Sequence, residues 1–409
     1  MSYRYANAMI KPGLNTLVAP TPDVYTRKLF SWGRNLGGPL GLGNQTYYSS
    51  PKQVGALTNW LKISSGYNFS VSTKIDGTLW AWGQNNYGQL GQSNITYRSS
   101  PVQVGALTTW ATVSAGGFHV LAIQSNGTLW SWGKNTNGGQ LGIGNTNNYS
   151  SPMQIGTLST WLSVAAGGYV SSAIKTDGTL WTWGYNPQGQ LGDGSTVSKS
   201  SPVQIGTLTN WLRVAASKYS VIAVKKDGTF WSWGQNNYGQ LGLGNQTYYS
   251  SPKQVGALTT WNNIAVANFR GYVSLATKID GTLWSWGNGS TGSLGLGNTT
   301  SYSSPKQVGA LTTWLTVAAS TYCSFSIKTD GTLWSWGNNS DGILGLGNTT
   351  NYSSPKQVGA LTSWGNANCG TNFAAILQPT LVTPKPYTQY TGIWKLNAAS
   401  AAKGAGTWP

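Results

Sequence analysis

Residues 314–364 show the pattern of apolar and polar positions that the whole chain repeats. The segment WLTVAA is short and apolar, and YCSFSIK alternates between apolar and polar positions, so both predict β-strands. Asp330-Gly331 predicts a two-residue hairpin turn, because this dipeptide tolerates the positive φ that such turns require. TLWSWG predicts the returning strand, and SPKQVG predicts a short strand opened by a proline. The segment therefore predicts a four-stranded antiparallel unit.

This unit recurs with a nearly constant period. The glycine that ends the third strand recurs at intervals of 50, 50, 51, 50, 53 and 50 residues, at Gly33, Gly83, Gly133, Gly184, Gly234, Gly287 and Gly337. Seven copies of a four-stranded unit predict a seven-bladed β-propeller, in which each copy forms one blade around a central axis. An open solenoid of the same units is the structural alternative.

The two ends of the repeat array favour the closed ring. The first copy begins at RKLFSWG and lacks the two preceding strands, whereas the last copy stops after WGNANCGTNFAAILQ, which supplies those strands. A composite blade built from both ends would complete the ring and remove the exposed sheet edges of an open array. We therefore expect an all-β fold, a seven-bladed propeller of four-stranded antiparallel blades with one composite blade.

Tryptophans mark equivalent positions in the copies. The first copy has Phe30/Trp32, and the others carry a pair of tryptophans two residues apart: Trp80/Trp82, Trp130/Trp132, Trp181/Trp183, Trp231/Trp233, Trp284/Trp286 and Trp334/Trp336. A spacing of two places both rings of a pair on one face of a strand. A second series opens the inner strands: Trp60, Trp110, Trp161, Trp211, Trp261, Trp314 and Trp364. We expect these rings to fill the wedge-shaped spaces between blades.

Charge and cysteine usage narrow the choice of partner and environment. The chain has 25 Lys and Arg against eight acidic residues, for a formal net charge of +17. This balance favours an anionic partner, although an aromatic-rich surface also needs net charge to stay dispersed. No apolar run is long enough to predict membrane insertion, and the first residues do not resemble a signal peptide. We expect Cys323 and Cys369 to be small core residues, with a disulfide left open.

Residues suited to catalysis are few. General acid–base catalysis needs carboxylates, histidine or a perturbed lysine or cysteine in a cleft. The only histidine is His119, and five aspartates stand in the hairpin turns: Asp76, Asp177, Asp227, Asp280 and Asp330. The glycine-rich stretches LGLGN and GQLG precede no predicted helix, so they do not match a phosphate-binding loop. We therefore expect no enzymatic activity, no cofactor and no metal site.

Binding surfaces are expected where the copies disagree. The largest departure is residues 261–272, where three extra residues bring Phe269, Arg270 and Tyr272 into one loop. An arginine among aromatic residues is typical of a binding hot spot. The second candidates are the tyrosines of two NQTYYSSP loops, because Tyr makes adaptable contacts at a low entropic cost: Tyr47, Tyr48, Tyr248 and Tyr249.

A repeated row of lysines is the third candidate surface. In the closed ring these residues of the SPKQ strands fall on consecutive blades: Lys52, Lys253, Lys306 and Lys356. They could hold an anionic partner, and the alternative is a row that is simply solvated. Binding of nucleic acid through the lysines is a further hypothesis, which we do not favour; it predicts a steep loss of affinity with salt.

The quoted motifs carry a family resemblance. The recurring pattern of DGTLWSWG, NxxGQLGxG and SPxQV resembles the repeat of the regulator-of-chromosome-condensation family, from about residue 25 to residue 378. The resemblance implies a seven-bladed propeller joined by a composite blade. It does not carry over the founding member's activity, which is guanine-nucleotide exchange on a small GTPase and binding to chromatin. The family's GxxH pattern occurs here only at Gly116–His119, and the loops and acidic residues needed for exchange cannot be mapped.

Both ends of the chain carry a second resemblance. YTGIWKLNAASAAKGAGTWP resembles the C-terminal ends of virion proteins of tailed bacteriophages, and MIKPGLNTLVAP is similar to the openings of phage propellers. This implies a docking tail, with Trp394 and Trp408 as candidate assembly residues. We therefore expect an N-terminal extension and candidate anchor at 1–24, a propeller at 25–378 and a C-terminal docking tail at 379–409.

The combined expectation is a non-enzymatic bacteriophage virion protein. It would be a tail-fibre or adhesin subunit that engages a host surface or another virion protein. A capsid decoration protein and a free interaction or inhibitor module are the alternatives. We expect other virion proteins to bind the termini, an anionic host-surface component to be a candidate partner, and several copies to share the assembly. The expected location is the virion, after synthesis in the host cytoplasm without a signal peptide.

Overall fold

The computed structural model of the protein describes residues 24–267, 269 and 272–382. The strands of this part form seven four-stranded antiparallel sheets. The sheets surround a central channel, so the predicted seven-bladed propeller is confirmed. The ring lies within the compact unit Thr26–Thr380. In the described part of the chain, no helix is long and apolar enough to cross a membrane.

Each blade has an inner, a second, a third and an outer strand, in order from the channel to the rim. The inner strands are β3 (Trp60–Ser65), β7 (Trp110–Ala115), β11 (Trp161–Ala166), β15 (Trp211–Ala216), β19 (Trp261–Val266), β23 (Trp314–Ala319) and β27 (Asn366–Cys369). The second strands are β4 (Phe69–Lys74), β8 (His119–Gln124), β12 (Val170–Lys175), β16 (Ser220–Lys225), β20 (Val273–Lys278), β24 (Cys323–Lys328) and β28 (Phe373–Val382).

The third strands carry the tryptophan pairs, and the outer strands form the rim. The third strands are β5 (Leu79–Gly83), β9 (Leu129–Gly133), β13 (Leu180–Gly184), β17 (Phe230–Gly234), β21 (Leu283–Gly287), β25 (Leu333–Gly337) and β1 (Val24–Gly33). The outer strands are β6 (Arg98–Gln103), β10 (Tyr149–Gln154), β14 (Lys199–Gln204), β18 (Tyr249–Gln254), β22 (Tyr302–Gln307), β26 (Tyr352–Gln357) and β2 (Tyr48–Gln53). We number the blades I to VI in chain order from β3, and blade VII is the remaining one.

Blade VII is composite, as predicted. Its strand order from the channel is β27, β28, β1 and β2. The C-terminal part of the ring therefore supplies the inner and second strands, and the N-terminal part supplies the third and outer strands. Hydrogen bonding between β28 and β1 joins sequence-distant strands and so closes the ring.

The inner strands line a channel of about 220 Å³. All seven converge on the axis, where there is room only for small or β-branched side chains such as Ser64, Ala165 and Ala265. Some of these side chains also link neighbouring blades. The backbone N–H of Ala115 donates to the Ser64 hydroxyl at 2.9 Å, and the N–H of Ala166 donates to the Ser114 hydroxyl at 3.0 Å.

The hydrophobic core lies between blades rather than within them. Its clusters combine the inner and third strands of one blade with the second and third strands of its neighbour. The second tryptophan of each pair is fully buried, whereas the first is only half-buried. Trp60 contacts both members of its pair edge-on, with ring centroids 6.3 and 5.9 Å apart. The predicted wedge is therefore confirmed, with the second tryptophan and the inner-strand tryptophan at its centre.

One hydrogen bond recurs at every junction between blades. The indole N–H of the buried tryptophan donates to a backbone carbonyl in the preceding blade, over 2.7 to 3.1 Å: Trp32 to Ile343, Trp82 to Pro39, Trp132 to Gln89, Trp183 to Gln140, Trp233 to Gln190, Trp286 to Gln240 and Trp336 to Ser293. A nearby glycine makes room for the indole. A Cβ at Gly192 would lie 2.5 Å from the Trp233 nitrogen, and its φ of +80° also favours glycine.

The hairpin turn differs from the predicted two-residue turn. In blade I the N–H of Gly77 donates to the carbonyl of Lys74, so Ile75 and Asp76 are the central residues. Gly77 alone has positive φ, at +77°, which is the three-residue loop with a glycine bulge. Asp76 instead accepts hydrogen bonds from the N–H and hydroxyl of Thr78, at 3.0 and 2.6 Å. These bonds fix the aspartate in the negative-φ region and leave only the glycine position left-handed.

The same turn holds a lysine between two tryptophans. The Lys74 ammonium lies 3.5 Å from the centroid of the Trp80 ring and 5.0 Å from that of Trp60. The Trp80 N–H donates to the Thr78 hydroxyl at 2.9 Å. Burial lowers the pKa of Lys74, and the Asp76 charge opposes this shift. Equivalent lysines in four other blades make the same contacts: Lys175, Lys225, Lys278 and Lys328. These lysines are part of the scaffold.

We predict that the two members of a tryptophan pair contribute unequally to stability. Trp183→Phe removes a buried indole and its bond to the carbonyl of Gln140, and should lower the free energy of unfolding by about 2–4 kcal/mol. Trp181→Phe should cost less than about 1 kcal/mol, because blade VII already carries Phe30 at that position. Denaturant titrations of the two variants measure the difference. Equal destabilisation would contradict this assignment.

Candidate functional site

The repeat pattern is broken at one end of the channel. This end, the upper face, carries the inner loops between inner and second strands and the outer loops between third and outer strands. The other end, the lower face, carries the hairpin turns with their aspartates. The inner loop of blade V follows β19 and contains the three extra residues, which include Phe269. The extra length lets Phe269 leave its own blade.

Phe269 packs on inner loops across the ring. Its ring centroid lies 4.5 Å from that of Tyr67 in blade I and 5.6 Å from that of Phe118 in blade II. Tyr67 and Phe118 are themselves 5.3 Å apart. Phe269 also approaches the inner loop of blade II, where a Cβ at Gly117 would lie 3.1 Å from its ring. Because these loops surround one end of the channel, Phe269 lies over the channel mouth.

Two lysines stand among these aromatic rings. Lys134, in the outer loop of blade II, has its ammonium 4.6 Å from the centroid of Tyr87, 5.4 Å from Phe118 and 5.5 Å from Tyr169. The attraction between an ammonium and an aromatic face is worth about 0.5–2 kcal/mol. The rings therefore hold this cation in place while its half-buried side chain remains open to solvent.

Lys218, in the inner loop of blade IV, is the second of these lysines. Its ammonium lies 4.5 Å from the centroid of Tyr219, 4.8 Å from Tyr169 and 5.3 Å from Phe269. Tyr169 also contacts Tyr185, at 6.0 Å between centroids. We call the whole set the mouth cluster: Tyr67, Tyr87, Phe118, Lys134, Tyr169, Tyr185, Lys218, Tyr219 and Phe269.

The electrostatics of the mouth cluster favour a negative ligand. Five of the seven aspartates in the described chain lie in hairpin turns at the lower face, and the other two, Asp193 and Asp341, lie in the outer loops of blades III and VI on the upper face. Neither belongs to the mouth cluster. Burial raises the pKa of Tyr169, and the neighbouring phenols Tyr219, Tyr87 and Tyr185 raise it further. The cluster therefore presents two ammonium groups beside phenol hydroxyls, with aromatic rings between them.

The structure separates the residues predicted for this loop. Phe269 joins the mouth cluster, whereas Tyr272 packs against Tyr238 of blade IV, with ring centroids 4.7 Å apart. Arg270 lies outside the described residues. Phe269 thus contacts aromatic and basic residues of three other blades, which are Tyr67, Phe118 and Lys218. A binding role for this loop stays a prediction.

The predicted tyrosine pairs lie on the rim rather than at the mouth. Tyr47 and Tyr248 are exposed, at 45% and 42%. Tyr48 and Tyr249 are half-buried in the outer strands, and their hydroxyls accept hydrogen bonds from Asn44 and Asn245. The exposed ring of Tyr47 is therefore available to a partner. Tyr248 is exposed as well, but its hydroxyl donates to Asn237, so it helps to shape its own loop, as Tyr48 and Tyr249 do.

The predicted lysine row also lies on the rim. Lys52, Lys253, Lys306 and Lys356 are exposed and fall on blades VII, IV, V and VI, which are consecutive in the ring. Each ammonium lies 5.4 or 5.5 Å from the centroid of a tyrosine at the start of its own strand. The strands that carry this row are sheet edges, where lysine and proline discourage pairing with another chain. The row thus has a structural explanation independent of ligand binding.

Two candidates for assembly lie outside the described residues. Trp394 and Trp408 belong to the C-terminal stretch beyond Val382. The same holds for residues 1–23 of the expected N-terminal extension. The assembly role of both segments therefore stays a prediction from their sequence.

His119 is placed as a core residue rather than as an acid or base. It is fully buried at the start of β8, and its Nε2 and the Ser171 hydroxyl are 2.9 Å apart. Burial lowers the pKa of His119 to about 3, so the imidazole is neutral at physiological pH. Among the residues that the structure describes, no three His, Cys or Asp side chains come together as a metal site.

The two cysteines are also core residues. Cys323 and Cys369 are free and buried in the same hydrophobic cluster, between blades VI and VII. Burial raises the pKa of Cys323 to about 12 and raises that of Cys369 well above its usual value. Both thiols therefore stay protonated and unreactive.

Most of the mouth cluster was missed in the sequence. The last residue of the inner loop is aromatic in five blades: Phe118, Tyr169, Tyr219, Tyr272 and Tyr322. An alignment of the copies at this position would have revealed a ring of aromatics on the upper face. Lys134 and Lys218 carry no such signal, because each stands at a position where the other copies carry different residue types.

Comparison with known families matches the repeat and the ring. The RCC1-like domain matches residues 139–376, which is more than half of the chain. The regulator of chromosome condensation (RCC1) repeat matches residues 28–72 and 76–123, and a second description of that repeat matches residues 60–89 and 110–138. None of the curated proteins matches the sequence.

Solved structures share the fold at low sequence identity. Yeast RCC1 (Prp20), solved with Kap60 bound to it, superposes with a TM-score of 0.79 at 20% identity, over 88% of this chain and 90% of that one. Prp20p of Saccharomyces cerevisiae, described with its binding to Gsp1p and histones, gives 0.77 at 21% identity, over 88% and 92%. Human WBSCR16 gives 0.77 at 21% identity, over 86% and 98%. At these identities the similarity establishes the fold alone.

We predict that His119 makes the ring sensitive to mild acid. Its pKa is lowered on folding, so its contribution is fully present above the unfolded pKa near 6.5 and is lost as pH falls from there towards 3. The free energy of unfolding should therefore fall by up to about 1.4 kcal/mol per pH unit below pH 6.5. Denaturant titrations between pH 7 and pH 5 measure this slope.

His119→Val is the matched control for this slope. Blades III and V carry Val170 and Val273 at the equivalent position, so the substitution suits the site. The variant should show a nearly flat profile between pH 6.5 and pH 5, because the chain has no other histidine. An unchanged slope in the variant would mean that another group carries the acid sensitivity.

Proposed function

This chain belongs to the RCC1-like domain family, and from that premise we propose that it is a non-enzymatic interaction propeller that binds a partner through the mouth cluster. The observation that carries the proposal is the reach of Phe269 across the channel mouth to Tyr67 and Phe118. Side chains that recur in every blade hold the blades of the ring together. The mouth cluster occurs once, at one end of the axis, so the packing of the blades does not explain it.

The chemistry of the cluster supports binding. Aromatic and basic side chains that are half-buried and solvent-facing are typical of the centre of an interface. Most groups suited to acid–base catalysis are engaged elsewhere, because five of the seven described aspartates accept threonine hydrogen bonds at the lower face and His119 is buried and neutral. Propellers of this fold bind protein partners, as yeast Prp20 does Kap60.

We further propose that the partner is met on a bacteriophage particle. The chain would be a tail-fibre or adhesin subunit of the virion, located there after synthesis in the host cytoplasm. This proposal rests on the C-terminal stretch GIWKL…AKGAGTWP, which resembles the ends of phage virion proteins. In this scheme the C-terminal segment docks onto other virion proteins, and the mouth cluster faces the host surface or a neighbouring protein.

We predict that removal of residues 383–409 prevents incorporation into particles without unfolding the ring. The deletion ends after β28, so it leaves blade VII intact. Particles from a strain that carries the shortened gene should lack the chain by mass spectrometry, while the purified ring keeps its thermal transition. A shortened chain found on particles in normal amount would contradict the docking role.

Phe269→Ala serves as the matched variant in the same experiment. It should be incorporated normally, because it alters the mouth and leaves the C-terminal segment unchanged. Imaging of the incorporated protein then separates a tail-fibre position from a capsid decoration. Absence of the full-length chain from purified particles would overturn the virion proposal in favour of a free interaction module.

A further inference from the structure

The phenol hydroxyls of the mouth cluster differ from those of the rim. On the outer strands, the hydroxyls of Tyr48, Tyr149, Tyr249, Tyr302 and Tyr352 each accept a hydrogen bond from an asparagine four residues earlier. In the mouth, the hydroxyls of Tyr67, Tyr87, Tyr169, Tyr185 and Tyr219 are bonded to no group of the described chain. The mouth therefore presents hydrogen-bonding groups that the fold itself does not use.

The two ammonium groups of the mouth are close enough to serve one ligand. Lys134 and Lys218 lie 5.5 and 4.8 Å from the centroid of the same ring, Tyr169. Their ammonium groups are therefore at most 10.3 Å apart, the sum of those two distances. A ligand that carries negative charge near Tyr169 could therefore accept charge-assisted hydrogen bonds from these lysines, and such bonds are about twice as strong as neutral ones.

The aromatic faces of the mouth are turned towards one another. Tyr67 and Phe269 meet at 53°, Tyr67 and Phe118 at 44°, and Phe118 and Phe269 at 89°. A run of stacked bases needs successive, separately exposed ring faces, and this tilted arrangement does not offer them. It offers instead aromatic faces and edges at several angles, against which the C–H groups of a pyranose can pack.

We propose that the mouth cluster binds an acidic glycan, with Lys134 and Lys218 pairing with its uronate carboxylates. The sugar hydroxyls would bond to the unpaired phenols, and the C–H face of the pyranose would lie on Phe269 and Phe118. An acidic peptide could pair with the lysines but would leave most of the phenols to water. This inference rests on the proposed binding role of the mouth and names the chemical class of its partner.

Titration calorimetry on the full-length chain tests the proposal. The probes are hexasaccharides of polygalacturonate, mannuronate alginate and hyaluronan, with methyl-esterified hexagalacturonate as the neutral match. Hexaglutamate and an oligothymidylate represent acidic peptides and nucleic acid. At least one acidic hexasaccharide should bind, and for polygalacturonate the ester should bind about tenfold more weakly or worse, because it lacks the charge.

Variants assign the binding to the mouth. The double change Lys134→Gln and Lys218→Gln should weaken binding by about tenfold or more, and Tyr169→Phe, which removes one hydroxyl, by about threefold. The matched control is Lys253→Gln with Lys306→Gln on the rim. It removes the same charge and should change affinity by no more than about twofold. Near-ultraviolet circular dichroism checks that each variant keeps the tryptophan packing of the ring.

Three results would overturn the proposal. They are no binding of any acidic hexasaccharide, binding of hexaglutamate or oligothymidylate as tight as that of the best glycan, and an equal loss in the rim control. Failure of the interaction role is a separate result. If the mouth variants still reduce attachment of particles to host cells while no glycan binds, the proposed function stands and the glycan inference falls.

Discussion

The hydrogen bond from a buried indole N–H to a carbonyl of the preceding blade is the contact on which the ring depends. Each such bond is sealed between two blades, as in Trp183 to Gln140 at 3.0 Å, so its loss would leave a buried polar group at a cost of about 1–3 kcal/mol. The bond also fixes the angle between sheets, because the indole can reach the carbonyl only where a glycine such as Gly192 leaves space. The same hydrogen bond recurs at all seven junctions between blades, so every pair of neighbouring blades packs in the same way around the ring.

A scaffold of this kind separates stability from recognition. The tryptophans, the turn aspartates and the caged lysines such as Lys74 act between blades or at the lower face. The inner loops of the upper face are joined by backbone hydrogen bonds, such as that from the N–H of Tyr67 to the carbonyl of Gly117, so their side chains can differ from blade to blade. Blade V uses this freedom most, since its loop sends Phe269 over the channel mouth while β19 and β20 keep the ordinary pairing on either side.

The sequence predicted what depends on periodicity and could not predict what depends on the closed ring. The period and the composite blade follow from spacings between copies, the wedge follows from the tryptophan spacing within each copy, and the structure agrees with them. The hairpin turn was predicted one residue too short, because Asp76 is held by Thr78 at negative φ. The mouth cluster joins Tyr67 to Phe269, which are about two hundred residues apart in the chain. No local pattern encodes that contact, since it requires the loops of distant blades to meet at one axis.

The surroundings of the lysines show which of them can contribute to binding an anionic partner, and the net charge of +17 does not. Lysines at the turns are caged by tryptophan rings, and those of the rim stand on edge strands, where they hinder pairing with other chains. Both groups have structural explanations that need no ligand. Lys134 and Lys218 are different: no other copy has a lysine at either position, and their ammonium groups lie 4.6 and 4.5 Å from the nearest ring centroids of the upper face. The net charge of the whole chain therefore says little about the partner of this protein. Lys134 and Lys218 have no structural role of this kind, and they lie in the mouth cluster, where a partner can contact them.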